Sequence, residues 1–237
     1  MGPRNAVAST EAAPPSRQSL NLADLTDDET YKILSAAVQP RPIAWVSSLA
    51  ADGDRNLAPF SFFTVASRDP ATVLVSVGVR PGDADRPKDT LANVRSTAEF
   101  VVNIPAVEQT DAVALTSRPV EPEVDEFSLA GLTAIPSLTV QPATVAEALI
   151  SLECRLTAEH PIGSDVVLYG EVLAVSVRAG ILDDRFRINT ARHGFLGRLA
   201  GPFFTSVTES LPQRSGLGVD TPARPSDEAP RDEAPST

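Results

Sequence analysis

A mainly β, antiparallel barrel with a few short helices is the fold this sequence predicts, on three observations. Strand-like segments, short apolar runs or alternating ones, dominate the middle of the chain. The stretches between them carry turn residues, and helical patterning is confined to two short segments. Strands joined by turns, with one or two short helices among them, favour an antiparallel barrel over a parallel βαβ sheet.

Each element is readable in turn. PIAWVSSLA, from Pro42 to Ala50, is short and apolar and ends at ADGDRN, where Asp52-Gly53 is a turn signal. ATVLVSVGV, from Ala71 to Val79, is a valine-rich strand. Between them lies NLAPFSFFTVASRDP, Asn56 to Pro70, in which two prolines and two serines interrupt an apolar run holding Phe60, Phe62 and Phe63. A proline inside such a run marks an edge, a bulge or the beginning of a strand. AEFVVNIP (Ala98 to Pro105), ALISLECRLTAEH (Ala148 to His160) and VVLYGEVLAVSVRAG (Val166 to Gly180) alternate as strands do, making at least five strands plus one that begins near Phe60. Helices are expected over KDTLANVRST, Lys88 to Thr97, with Asp89 or Thr90 as N-cap, and over VEQTDAVALTS, Val107 to Ser117.

The ends differ from the middle. Residues 1–20 are rich in Ala, Pro and Ser, and residues 211–237 are acidic and Pro-rich; both are too poor in large apolar residues to offset the cost of ordering, so both are expected to be disordered tails around one domain at 21–210. The formal net charge of -11 disfavours nucleic acid, which needs a basic face. No apolar stretch approaches a membrane span and no signal-peptide h-region opens the chain, so a cytoplasmic protein is expected.

Catalytic side chains are scarce. The single cysteine, Cys154, shares a period-2 face with Ala148, Ile150, Leu152 and Leu156, which reads as a buried structural thiol. The two histidines, His160 and His193, stand far apart without metal-ligand spacing, so no metal site is expected, and no GxSxG, GxGxxG or P-loop pattern occurs. Demanding chemistry would therefore rest on a cofactor. Backbone amides near Asn56 to Ala58, the hydroxyls of Ser47, Ser48 and Ser61, and the ring of Phe62 or Phe63 would suit a flat heteroaromatic ligand. RPKDT, Arg86 to Thr90, adds cations and a helix start that would suit a phosphate. The plainer reading stands beside it: phenylalanines as core, serines as turn residues, KDT as an ordinary helix start.

PRPIAWVSSLAADGDRNLAPFSFFTVASRDPATVLVSV, followed by KDTLANVRSTAEFVVNI, resembles the flavin reductase-like family of FMN-binding split-barrel proteins, which includes flavoredoxins and the reductase components of two-component flavin monooxygenases. The likeness continues through HPIGSDVVLYGEVLAVSV to GRLAGPFFT and covers about Tyr31 to Thr205. It implies a six-stranded Greek-key split barrel that forms a homodimer, with FMN near the subunit interface. The isoalloxazine would lie against Ser47, Ser48 and the stretch Asn56, Leu57, Ala58, Pro59, Ser61, Phe62 and Phe63, with NLAPFSFF as the start of a flavin-binding strand. The phosphate would lie at Lys88, Asp89 and Thr90, with Asn93 also among the cofactor-binding residues. The implied activity is hydride transfer from NAD(P)H to FMN, with electrons passed to a partner oxygenase or to free flavin. His193 and Arg198 are candidate nicotinamide or substrate contacts, against the plain alternative of a surface His and a carboxylate-paired Arg. An FMN electron carrier, or an FMN enzyme acting directly on an organic substrate, are the alternatives. One departure bears on this: Arg198-Leu199-Ala200-Gly201 followed by Phe203 and Phe204 replaces the family's usual RLGG and tyrosine.

Overall fold

The computed structural model describes residues 16–80, 83 and 85–209; the expected tails, apart from residues 16–20, lie outside the described residues. Helix α1 (Asp27–Ala37) comes first and was not anticipated. Its start is written locally: the Thr26 hydroxyl accepts from the Glu29 amide while Glu29 reaches back to the Thr26 amide, a reciprocal capping box. Strands β1 (Arg41–Pro42), β2 (Ala44–Leu49), β3 (Arg55–Phe60), β4 (Phe63–Arg68) and β5 (Ala71–Val77) follow, then α2 (Asp89–Thr97) and β6 (Glu99–Ile104). After α3 (Thr110–Leu115) and α4 (Glu126–Leu129) come β7 (Ala134–Ile135), β8 (Thr144–Val145), β9 (Ile150–Ile162) and β10 (Asp165–Val177). Short α5 (Thr190–His193), β11 (Phe195–Arg198) and β12 (Phe204–Val207) complete the described chain.

The main sheet is antiparallel and has seven strands, in the order β3-β2-β6-β9-β10-β5-β4, one more than the six expected. The extra strand comes from the NLAPFSFF stretch, which does not begin a single strand. It closes β3 at Phe60, bends at Ser61 and Phe62, and opens β4 at Phe63. Since β3 and β4 are the two edges of the sheet and only two residues join them, the sheet must curl until its edges meet. That gives a barrel with a seam, the split-barrel architecture.

Barrel closure explains why β2 is buried along almost its whole length. Ala44 and Val46 face an interior core with Phe60, Val73, Val75, Phe100, Val102 and Leu168, while Ile43 and Trp45 face a second core with Leu57, Val113, Phe127 and Leu196. The long hairpin of β9 and β10 turns at Gly163-Ser164, with Gly163 at φ +55°, and shifts register at Tyr169/Gly170 and Val172/Ala174. Such bulges bend a strand around a barrel. A side chain at Gly170 would collide with the Phe100 ring.

Helix α2 begins one residue earlier than an N-cap at Asp89 or Thr90 would place it: Lys88 is the cap residue, Asp89 opens the helix, and no side chain caps it. Leu91 and Val94 drop from it into the barrel interior. The segment expected as one helix at 107–117 divides into a 3-10 turn at Val107–Gln109 and α3.

Candidate functional site

Pro59 and Leu57 define the outer edge of β3. Leu57 donates its amide outward, to Glu126 Oε2 at 2.9 Å, so Pro59, two residues on, also turns its nitrogen away from β2. A proline costs no ladder bond there, which is why this run tolerates one. A pocket opens along the strand. Its floor is Asn56, Ala58, Pro59 and Phe60; one wall is the start of α2, with Lys88, Asp89 and Thr90; Arg80, the segment Thr116–Val120 and Glu126 complete it.

Polar side chains fix these walls to one another. Asn56 Nδ2 donates to Thr90 Oγ1 at 3.0 Å, leaving the threonine hydrogen free, and Asn93 Nδ2 donates to Ser48 Oγ at 3.2 Å; together they moor α2 to β3 and β2. Arg80 bridges to Asp89 at 2.6 Å. Lys88 forms no ion pair among the described residues; its Nζ lies 5.6 Å from the Phe60 ring centroid. Burial pushes the Lys88 pKa down, aided by the Arg80 charge and opposed by Asp165. Burial likewise pushes the Glu126 carboxyl up; the Leu57 amide opposes this, and the charges of Asp89 and Asp125 add to it.

Of the residues expected at a cofactor, Asn56, Ala58, Pro59, Lys88, Asp89 and Thr90 come together in this pocket, and Leu57 lies fully buried beneath it. The others have different surroundings. Ser47 donates to the Ala143 carbonyl at 2.5 Å and accepts from Asn103, inside the fold. Ser48 and Asn93, both buried, pair with each other behind the pocket. Ser61 accepts from Arg41 Nε at 3.2 Å. Phe62 is exposed beside Tyr31, with ring centroids 6.4 Å apart, and Phe63 packs against the interior core. His193 and Arg198 do not line the pocket. His193 Nε2 is buried without a partner among the described residues, and Arg198 pairs with the Gly201 carbonyl at 2.6 Å and the Phe204 ring at 4.6 Å, with no carboxylate among the described residues. Arg80, Thr116–Val120 and Glu126 escaped the sequence reading. The one local signal was Asp125, whose carboxylate caps α4 on the Phe127 amide at 3.0 Å and so sets the direction of Glu126.

The chemistry of the donor set fits a phosphorylated heteroaromatic group. The uncapped first turn of α2 offers amide hydrogens and the positive end of the helix dipole, Lys88 offers an unpaired ammonium, and Thr90 a free hydroxyl hydrogen. Residues 37–191 match the model of the flavin reductase like domain, and the chain belongs to this family. An uncharacterized protein of Aquifex aeolicus (strain VF5) is 40% identical over 183 residues, covering 77% of this chain and 92% of its own. Nitrilotriacetate monooxygenase component B from Bacillus cereus superposes with a TM-score of 0.80 at 31% identity, over 84% of this chain and 100% of its own. Pseudomonas fluorescens 2-nitrobenzoate 2-nitroreductase NbaA superposes with a TM-score of 0.76 at 25% identity, over 87% and 100%.

Proposed function

We propose that the protein is a cytoplasmic, homodimeric FMN-dependent oxidoreductase that uses NAD(P)H and serves a partner oxygenase or free flavin. The observation that carries this is the junction of an uncapped helix start, an unpaired Lys88 and the proline-bearing edge of β3 in one pocket. Lys88, Thr90 and the first amides of α2 would hold the phosphate, and Ala58, Pro59 and Phe60 would border the ring system. Bound there, the flavin would accept a hydride from a reduced nicotinamide and pass two electrons to an acceptor. The protein's own part would be to orient: Asn56 donates to Thr90 and leaves that hydroxyl's hydrogen for the phosphate, and Arg80, paired with Asp89, would keep this carboxylate from repelling it. The likeness to a monooxygenase component supports a partner oxygenase. The likeness to a nitroreductase supports a second reading, in which an organic compound is reduced directly.

Titration with FMN, FAD and riboflavin tests the cofactor. FMN is expected to bind most tightly, and Lys88→Ala to weaken it by about 1.5–3 kcal/mol while sparing riboflavin. Rapid mixing of the FMN-loaded protein with NADH or NADPH tests the donor: bleaching near ~450 nm, where oxidised flavin absorbs, supports the reductase. Equal affinity for riboflavin and FMN would remove the phosphate assignment. Consumption of a nitroaromatic without any second protein would favour the second reading.

A further inference from the structure

We propose that Glu126 receives, at its free carboxyl oxygen, a hydroxyl donor from the polyol chain of the phosphorylated ligand; this rests on the flavin reading above. Glu126 is only 5% exposed, yet it belongs to the pocket wall. Its Oε2 accepts from the Leu57 amide at 2.9 Å, and its neighbour Phe127 is buried in the second core, which anchors the backbone that carries the carboxyl. Oε1 has no hydrogen-bond partner on any other described residue and is not among the closed-off buried atoms, and Glu126 itself lines the pocket. A buried carboxyl with one oxygen unmatched favours any ligand that supplies an O–H or N–H.

The neighbourhood narrows the choice of donor. Asn56 reaches the first turn of α2 and the next residue, Leu57, holds Glu126, so the carboxyl stands beside the anion end of the pocket. The surrounding charges are Asp89, already paired with Arg80; Asp125, paired with Arg55; and the cations Lys88 and Arg118. Direct contact between phosphate and carboxylate is repulsive. A neutral hydroxyl next to the phosphate meets both, giving its hydrogen to Glu126 and its lone pairs to solvent or to the cations. The polyol that links a flavin ring to its phosphate carries such hydroxyls.

Dissociation constants for FMN, riboflavin and lumiflavin on the parent, Glu126→Gln, Glu126→Ala and Lys88→Ala proteins decide the matter. FMN and riboflavin share the polyol, lumiflavin is the ring without it, and FMN alone has the phosphate. Glu126→Ala is expected to weaken FMN and riboflavin equally, by about tenfold or more, and Glu126→Gln by less, with lumiflavin unchanged. Lys88→Ala is expected to affect FMN alone. Should Glu126→Ala fail to fold because Leu57 loses its acceptor, Glu126→Gln keeps one there and still discriminates among the three ligands. An equal loss for lumiflavin would assign the carboxyl to the ring and overturn the proposal. No loss for any flavin, with the parent still binding FMN, would overturn it and leave the flavin reading standing. A parent protein that binds no flavin would overturn both.

Discussion

Trp45 Nε1 donates to Thr116 Oγ1 at 2.9 Å, and both residues are buried. This bond ties β2 to the first residue of the pocket-lining segment Thr116–Val120, so the barrel wall directly positions one side of the pocket.

The two partners are not equivalent to mutate. Thr116→Val strands a buried indole N–H and is expected to lower unfolding free energy by about 1–3 kcal/mol. In Trp45→Phe no donor is stranded, because the Thr116 hydroxyl still has the Val113 carbonyl at 3.3 Å; its cost is the volume lost from the second core. Urea midpoints together with FMN affinity check this: Thr116→Val should weaken both, and an unchanged midpoint would show that the bond contributes nothing.

Glu153 makes the fold sensitive to acid. It is buried and accepts from the Leu138 amide at 2.8 Å, the Thr139 amide at 2.6 Å and the Thr139 hydroxyl at 2.7 Å, so one carboxylate holds the loop before β8. Burial opposes its ionisation, but these hydrogen bonds outweigh burial and hold its pKa below the ordinary 4.5. A depressed carboxyl stabilises the fold fully above the unfolded pKa and loses that contribution as pH falls through the folded one. Glu126 has the opposite sign: its raised pKa penalises the fold at neutral pH and relieves the penalty as pH falls. Glu153→Gln is therefore expected to destabilise by about 1.5–3 kcal/mol at pH ~7, with its gap from the parent closing below pH ~4. Chemical denaturation at several pH values measures that gap, and a gap independent of pH would remove the ionic role.

These contacts mark the boundary of what the sequence discloses. Short apolar runs bounded by turn signals located β2 and β5, and period-2 alternation located β6, β9 and β10, because a strand with one buried face repeats every second residue; the KDT helix was legible too, although its cap falls on Lys88 and not on Asp89 or Thr90. The count of seven strands was not, since Ser61 and Phe62 look like the middle of one run until the sheet closes and makes them its corner. Ser47 and Ser48 are polar residues on a strand, and sequence cannot tell a hydroxyl facing a ligand from one facing Ala143 or Asn93. Glu126 entered the pocket through a contact between residues 69 apart, which no local pattern announces.

Cys154 is expected to be chemically silent in the folded protein. It is fully buried in the barrel interior, and burial pushes its pKa up to about 12, with the Glu153 charge adding to the shift. Thiolate is the reactive form, so a thiol reagent at pH ~8 should label the native protein only as fast as it unfolds, and label it at once in denaturant. Rapid labelling under native conditions would show that β9 opens locally.

Arg41 and Ser61 supply the last test, because the bend that closes the barrel hangs on them. Arg41 is buried and has no carboxylate partner among the described residues; it donates through Nε to Ser61, through Nη1 to the carbonyls of Ser35 and Val38, and through Nη2 to the Leu199 carbonyl at 3.1 Å. One guanidinium thus joins the end of α1, the corner between β3 and β4, and the loop after β11. Its planar fork spans these directions in a way that a single ammonium cannot, so Arg41→Lys forfeits at least two bonds to a charged group and is expected to cost upwards of about 3 kcal/mol. Ser61→Ala removes one acceptor of several and is expected to cost about 0.5–1.5 kcal/mol. Because the hydroxyl already faces Arg41, the spectrum of bound FMN should be unchanged in Ser61→Ala. Denaturation curves and flavin absorbance on the same two variants separate the roles: a spectral shift in Ser61→Ala at unchanged stability would put this hydroxyl on the ring, and a parent-like Arg41→Lys would show that the corner holds without the guanidinium.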